Sequence, residues 1–461
     1  MKPNILFIFS DQHRHDCAGY AGHPLVKTPN LDRLAREGLV FTHAGCNTPV
    51  SAPARQSLLT GLWPVEHGGI ALFNLSESRA HAPLSLEFFP RLLKRAGYVS
   101  AHAGKWHVAP GYKPQDVGFD EFLNVPPEKN HAGLPPRDSL PPCLPHPVAG
   151  APEEHQSARV TALTREFIRA QAGRDRPFFA MLNFEEPHPP YHTPEPYASM
   201  YDPAAIEPWP NFADDLAGKP RQQRQMRRTW ELDGKPWRGY WDRQAAGYFG
   251  SVSMIDRRVG TLLDALEEDG IAGETLVVYS TDHGDMTGAH GLFDKHCNLY
   301  DEIVRVPLLA RWPGTIAPGR RYDGFASNVL DLAATFADLA TGAVPAKFQG
   351  RSLLPILKGQ DDDSPCRRRL LATYHGGQFG MYSQRMYRDK DWKLVWNPTD
   401  LDELYDLRAD PHEGRNLAED PAHATKLAEM RAKLYAAFLE LRDPLMKTHW
   451  VRRMLMEGGS I

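Results

Sequence analysis

Ser51-Ala52-Pro53-Ala54-Arg55-Gln56-Ser57-Leu58-Leu59-Thr60-Gly61 is the stretch around which the rest of the chain arranges itself. Pro53 suits the first helical position, where its missing N–H costs nothing, and Gly61 suits the C-terminal stop. The pattern predicts a helix with Ser51 at its mouth, where free N–H groups and the dipole favour an anion. Arg55, one turn on, would reach back to brace Ser51. A plainer reading makes Ser51 an N-cap and nothing more. The company this stretch keeps decides between the two.

Bulk properties narrow the field. A chain of 461 residues has room for one large domain and a smaller one. A formal net charge of -4 is near balance, which argues against nucleic-acid and membrane-surface proteins. Cys17, Cys46, Cys143, Cys297 and Cys366 make an odd, scattered set without a CxxC pair, as a reducing compartment would allow. No run has the length of a membrane span or the pattern of a signal peptide. The expectation is a cytoplasmic protein, or a periplasmic or secreted one if an export signal has been removed.

Working outward, several apolar strands end in polar residues. Ile5 to Phe9 is a continuous apolar run that leads to Asp11 and Gln12, in the crevice position where α/β proteins bind ligands. Asp11 is a hard oxygen donor for Ca²⁺, Mg²⁺ or Mn²⁺, and Gln12 offers a neutral oxygen. Tyr98 to His102 is a strand followed by Gly104-Lys105-Trp106-His107, and period-two alternation turns Lys105 and His107 the same way. Lys105 would neutralise an oxyanion and His107 would move a proton. Phe178 to Phe184 ends in Pro187-His188, and Thr275 to Ser280 delivers Asp282-His283, with His290 and Lys295 in the loop beyond.

Between these strands the pattern predicts helices at Thr28 to Gly38, Leu86 to Gly97, Ser157 to Ala172, Tyr248 to Asp269 and Ser327 to Gly342. Two insertions interrupt the core. One, at about 125–155, is rich in Pro and His. The other, at about 205–245, interleaves Arg221, Arg224, Arg227 and Arg228 with Trp230, Trp237, Tyr240 and Trp241, and reads as a solvated helix beside an aromatic cluster. A sugar platform is the second reading of that cluster. Beyond Asp361, short strands at Met386 to Arg388, Lys393 to Trp396 and Glu403 to Asp406 precede a helix from Pro421 to Arg442. The stretch from His449 to Met456 reads as a tail that docks on a neighbouring subunit.

Asp11-Gln12, Ser51 to Arg55, Gly104 to His107, Pro187-His188, and Asp282-His283 with Lys295 fall in this order along nearly the whole chain. In that order they resemble the type I sulfatases of the alkaline-phosphatase-like superfamily. Ser51-Ala52-Pro53-Ala54-Arg55 is similar to the family signature C/S-x-P-x-R in its serine form, with Ala54 where Ser is frequent. Gln12, where a second Asp is common, resembles the subset with choline sulfatases and phosphonate monoester hydrolases. The resemblance implies an α/β fold, a large mixed, mainly parallel sheet between helices over residues 1–360. A small antiparallel sheet with a helix would follow over 361–461.

The same resemblance implies a chemistry. Ser51 would be oxidised to formylglycine by a maturation enzyme, and its hydrate would attack the sulfur of a sulfate ester. One divalent cation, Ca²⁺ ahead of Mg²⁺ or Mn²⁺, would sit on Asp11, Gln12, Ser51, Asp282 and His283. Arg55, Lys105 and Lys295 would gather the sulfate charge, His188 or Lys295 would protonate the leaving alcohol, and His107 would act as the base. His290 is a further candidate contact. The implied partner is a sulfated small molecule or saccharide, with a homo-oligomer also open. Two rivals stand beside this reading: a phosphodiester or phosphonate monoester hydrolase of the same fold, and a silent sulfated-glycan binding protein whose Ser51 is never oxidised. Gly-Lys-Trp-His favours sulfate over the first rival.

Overall fold

The computed structural model describes residues 2–72, 81–125, 145–230, 239–377 and 379–457. Strands β1 (Asn4–Ser10), β2 (Leu39–Gly45), β3 (Val99–Gly104), β4 (Glu121–Leu123), β5 (Phe178–Asn183), β6 (Thr275–Thr281), β7 (Leu308–Arg311) and β8 (Arg320–Ser327) form one sheet in the order β4-β3-β5-β1-β6-β7-β2-β8. β4 through β6 run parallel, while β7 is antiparallel to both β6 and β2. β1 lies in the middle. Its pleat sends Ile5, Phe7 and Phe9 into one apolar layer, and Leu6 and Ile8 into the other. This two-sided burial is why the run is apolar throughout.

Helices cover both faces. Phe7 and Phe179 meet Phe336 of the helix Leu330–Thr341 at ring separations of 5.2 and 5.3 Å. On the other face, Leu31 and Leu34 of the helix Pro29–Glu37 pack with Ile255, Val259 and Leu262 of the 28-residue helix Trp241–Glu268. That helix starts at Trp241 rather than Tyr248, because Ala245 and Ala246 are buried and continue its apolar stripe. The helix expected over Leu86 to Gly97 is shorter, Phe89–Arg95. Pro90 has no N–H to give to an interior turn, so the helix begins just ahead of it.

A second sheet, ordered β12-β11-β10-β9, is built from β9 (Leu370–Gly377), β10 (Gly380–Arg388), β11 (Trp392–Trp396) and β12 (Glu403–Asp406), all antiparallel. β9 lies outside the expected set of strands. Leu371, Leu394 and Trp396 belong to the same apolar cluster as Phe7 and Phe336, so the core runs on from the first sheet into the second. The helix Ala424–Glu440 covers it. The chain then turns back as a last helix, His449–Glu457, with Val451 and Leu455 buried in that same cluster. Its two apolar positions find an apolar surface within reach on its own chain. Leu134 to Pro136, Pro141, Pro142, Cys143 and Trp237 lie outside the described residues.

Candidate active site

The helix Ser51–Thr60 is buried along its whole length beneath the ends of β1 and β6. Val50, in extended conformation, takes the N-cap position and Ser51 is the first helical residue, so Ser51 is not the cap. Pro53 falls at the third position, still among the N–H groups that a helix leaves unpaired. Gly61 closes the helix at φ 66°, donating its N–H to the Ser57 carbonyl.

The Ser51 hydroxyl stands 3.0 Å from His283 Nε2 and 3.4 Å from Asp11 Oδ1. His283 Nδ1 lies 2.9 Å from the Gly284 carbonyl, to which it donates, so the Nε2 lone pair faces Ser51. Asp11, Asp282 and His283 present ligand atoms that all lie within 4.8 Å of one another, and all three are buried. Two carboxylates and an imidazole are a donor set that fits a divalent cation.

Arg55 does not reach Ser51. Its Nε donates to Asp282 at 3.2 Å, and its terminal nitrogens donate to Asp11 at 2.9 Å and to the Asn183 carboxamide at 2.8 Å. It braces the carboxylates around Ser51 instead, which is what a rigid fork of donors does best. Lys105 Nζ pairs with Asp11 at 2.8 Å. Burial raises the Asp11 carboxyl, but Lys105, His188, Arg55 and His283 together hold it well below the usual range. β3 ends at Gly104, so strand alternation does not orient His107, whose backbone sits at φ 37°. The loop still brings His107 into the field of this cluster: burial, then Lys105, push its imidazole down to about 3.

Lys295 is buried in the same charged group. Its Nζ donates to Gln12 Oε1 at 2.5 Å, Asp294 Oδ1 at 3.0 Å and His188 Nε2 at 3.1 Å. Burial would lower this ammonium, but Asp294 and Asp11 raise it. His188 donates from Nδ1 to the Pro189 carbonyl at 2.6 Å, which leaves Nε2 to accept from Lys295. Gln12 turns only its backbone N–H toward Asp282, at 3.0 Å. Its carboxamide joins Lys295 to two further carboxylates, Asp285 and Asp294. Asp285 is pushed up to about 6 by burial and by Asp294. Four carboxylates face three cations here, so a divalent cation would leave the cavity with about one positive charge, matched to a monoanionic ester.

His290 is not part of this cavity. Its Nδ1 lies 2.7 Å from Asp214 Oδ2, its Nε2 2.9 Å from Asn211, and its ring stacks on Tyr300 at 3.8 Å. It ties the 205–230 segment to the Lys295 loop. In that segment the helix Arg221–Thr229 exposes Arg221, Arg224 and Arg228, and Trp230 packs on Phe293 at 5.0 Å. Asn183, His102, Asp285 and Asp294 escape a reading by motif. The available signal was a polar residue inside an apolar strand run, as His102 and Asn183 both are.

A central parallel sheet with a cation-ready Asp-Asp-His cluster at its carboxyl ends, beneath a buried helix mouth, defines a hydrolase of anionic esters in the alkaline-phosphatase-like fold. Residues 3–343 match the family model described as Sulfatase, and residues 288–439 match N-sulphoglucosamine sulphohydrolase, C-terminal. The chain belongs to the sulfatase family. It is 28% identical to an ulvan-active sulfatase of Formosa agariphila, over 96% of this chain and 82% of that one. It is 27% identical to an N-acetylglucosamine-6-O-sulfatase of Bacteroides thetaiotaomicron, over 96% and 87%. The phosphonate monoester hydrolase of Agrobacterium radiobacter has the same fold at TM-score 0.79 and 26% identity, with 95% of each chain covered. Membership implies a metal ion and a formylglycine modification, and the Asp11-Asp282-His283 cluster is where a metal fits.

Proposed function

We propose that this sulfatase hydrolyses a sulfate monoester of a carbohydrate, with Ser51, once oxidised by a maturation enzyme, as the nucleophile-bearing residue. The observation that carries the reading is one buried cluster in which Ser51 meets His283 and Asp11, Arg55 bonds Asp11 and Asp282, and Asp11, Asp282 and His283 gather their ligand atoms. Asp11, Asp282 and His283 would hold the divalent cation, which supplies Lewis-acid stabilisation of the sulfuryl oxygens. The hydrated aldehyde would supply two hydroxyls on one carbon, one to attack sulfur and one to drive the release of sulfate.

The chain's own groups supply the rest. Lys105 and Lys295 place positive charge where the transferring group gathers negative charge. Lys295 Nζ, already bonded to His188 Nε2, delivers a proton to the departing alkoxide oxygen as the sulfur–oxygen bond breaks. His107, its imidazole kept neutral by burial and Lys105, is the base assigned to take the proton whose loss frees sulfate. Calcium is our choice of ion. The carbohydrate follows from the sugar-directed relative, and the monoanion from the charge balance of the cavity. The test is release of free sulfate from a panel of defined sulfated saccharides, together with the intact mass of the peptide across residues 51–55. Turnover with a Ser51 that has lost two hydrogens supports the proposal. An unmodified Ser51 with saccharide binding and no turnover would favour a binding protein.

A further inference from the structure

Asn183 touches more of the cavity's framework than any motif assigns to it. It is the last residue of β5, paired in register with Phe9 of β1, and so sits level with the approach to Asp11. Its Oδ1 accepts from Arg55 at 2.8 Å, and its Nδ2 lies 3.0 Å from His102 Nε2. Its main-chain carbonyl accepts the Lys105 N–H at 3.1 Å. A Cβ on Gly104 would lie only 2.1 Å from that same carbonyl oxygen, so the β3 backbone is pressed directly against it.

Each of these bonds has one direction only. A guanidinium has donors and no acceptor, so the carboxamide must turn its oxygen to Arg55 and its NH₂ to His102. His102 must then offer a bare Nε2 and carry its proton on Nδ1. It is held neutral, at about 3, by burial and then by Arg55, with the edges of Trp106, Phe119 and Phe122 around it.

We propose that Asn183 is a positioning residue that fixes the Arg55 guanidinium, with His102 accepting from the other end of its carboxamide. Without Asn183 the third arm of the fork has no buried acceptor of its own and turns to a second lone pair on Asp11 or Asp282. Those lone pairs are the ones a cation needs. Asn183 therefore keeps Arg55 from competing with the cation for its carboxylates, and acts on rate rather than on substrate affinity. The rate consequence rests on the hydrolase reading above; the geometric one does not.

The test is a double-mutant cycle on 4-nitrophenyl sulfate, using the full matured chain. Asn183→Leu, close in volume and without polar atoms, should lower kcat about tenfold or more, with KM changed less than about threefold. Asn183→Asp keeps an acceptor for Arg55 and should recover part of that loss. In an Arg55→Ala background the Leu substitution should change kcat less than about twofold, because the group it acts through is gone. An equal penalty in both backgrounds, or a loss confined to KM, would overturn the proposal. A crystal structure of Asn183→Leu reads the geometry without any turnover. The arm freed from Asn183 should bond a further oxygen lone pair of Asp11 or Asp282, and an unmoved guanidinium contradicts the assignment. Wild-type protein that turns over no sulfate ester would count against the hydrolase reading, while the crystal structure would still decide the role of Asn183.

Discussion

Arg55 shows how much one side chain is asked to hold. Its three donor arms end on Asp11, Asp282 and Asn183, all buried with it. Removing it takes a paired counter-charge from two buried carboxylates, and breaking a buried pair costs about 3–5 kcal/mol. Arg55→Ala should lower kcat by about 10²–10³-fold and depress the unfolding temperature, as steady-state kinetics and thermal melts would read. A normal rate would remove Arg55 from the site. Lys295 makes a different prediction because its proton goes to the leaving group. Lys295→Ala should slow a sugar sulfate at least about tenfold more than 4-nitrophenyl sulfate, whose alcohol needs no proton to depart. Equal losses on both substrates would assign Lys295 to charge stabilisation alone.

Elements place these residues, and here the sequence was legible to different depths. The strands that carry Asp11 and Asp282 are unbroken apolar runs, so their existence, and the crevice at their ends, could be read directly. The helix with Ser51 could be found from Pro53 and Gly61, but its cap could not. The choice between Val50 and Ser51 depends on backbone angles set by tertiary packing, with Val50 and Ala52 buried in the apolar cluster that also holds Tyr300 and Ile303. Asn183 and His102 were hidden because their meaning depends on which strands become neighbours. β3, β5 and β1 are far apart in sequence and adjacent only in the sheet. His290 misled for the converse reason: a motif position near Lys295 is not a position in the cavity. The close approach of β3 to β5 is testable. Gly104 sits at φ 78° against the Asn183 carbonyl, so Gly104→Ala should cost about 1–3 kcal/mol by denaturant unfolding and reduce activity with it. An unchanged midpoint would mean that the two backbones separate without penalty.

The whole molecule supports its site with two sheets joined by a shared apolar cluster, and it buries imidazoles that do not themselves react. His67 and His102 are pushed down to about 3 by burial, whereas an unfolded chain takes up these protons near pH 6.5. Below that pH the unfolded state therefore binds more protons than the folded one, so stability is full above about 6.5 and falls as pH drops toward 3. At pH 5 each imidazole should have cost about 2 kcal/mol, and the unfolding temperature should fall steadily from pH 7 to 5. A flat profile across that window would contradict their neutral burial.

The central claim is that the cavity around Ser51 is built for a sulfate monoester. The most direct measurement compares kcat/KM on matched aryl esters, 4-nitrophenyl sulfate against 4-nitrophenyl phenyl phosphate, in the matured protein and in Ser51→Ala. The account predicts that the sulfate is turned over at least about tenfold more efficiently, and that Ser51→Ala abolishes that turnover. A preference for the phosphodiester, or sulfate hydrolysis that survives the loss of Ser51, would contradict it.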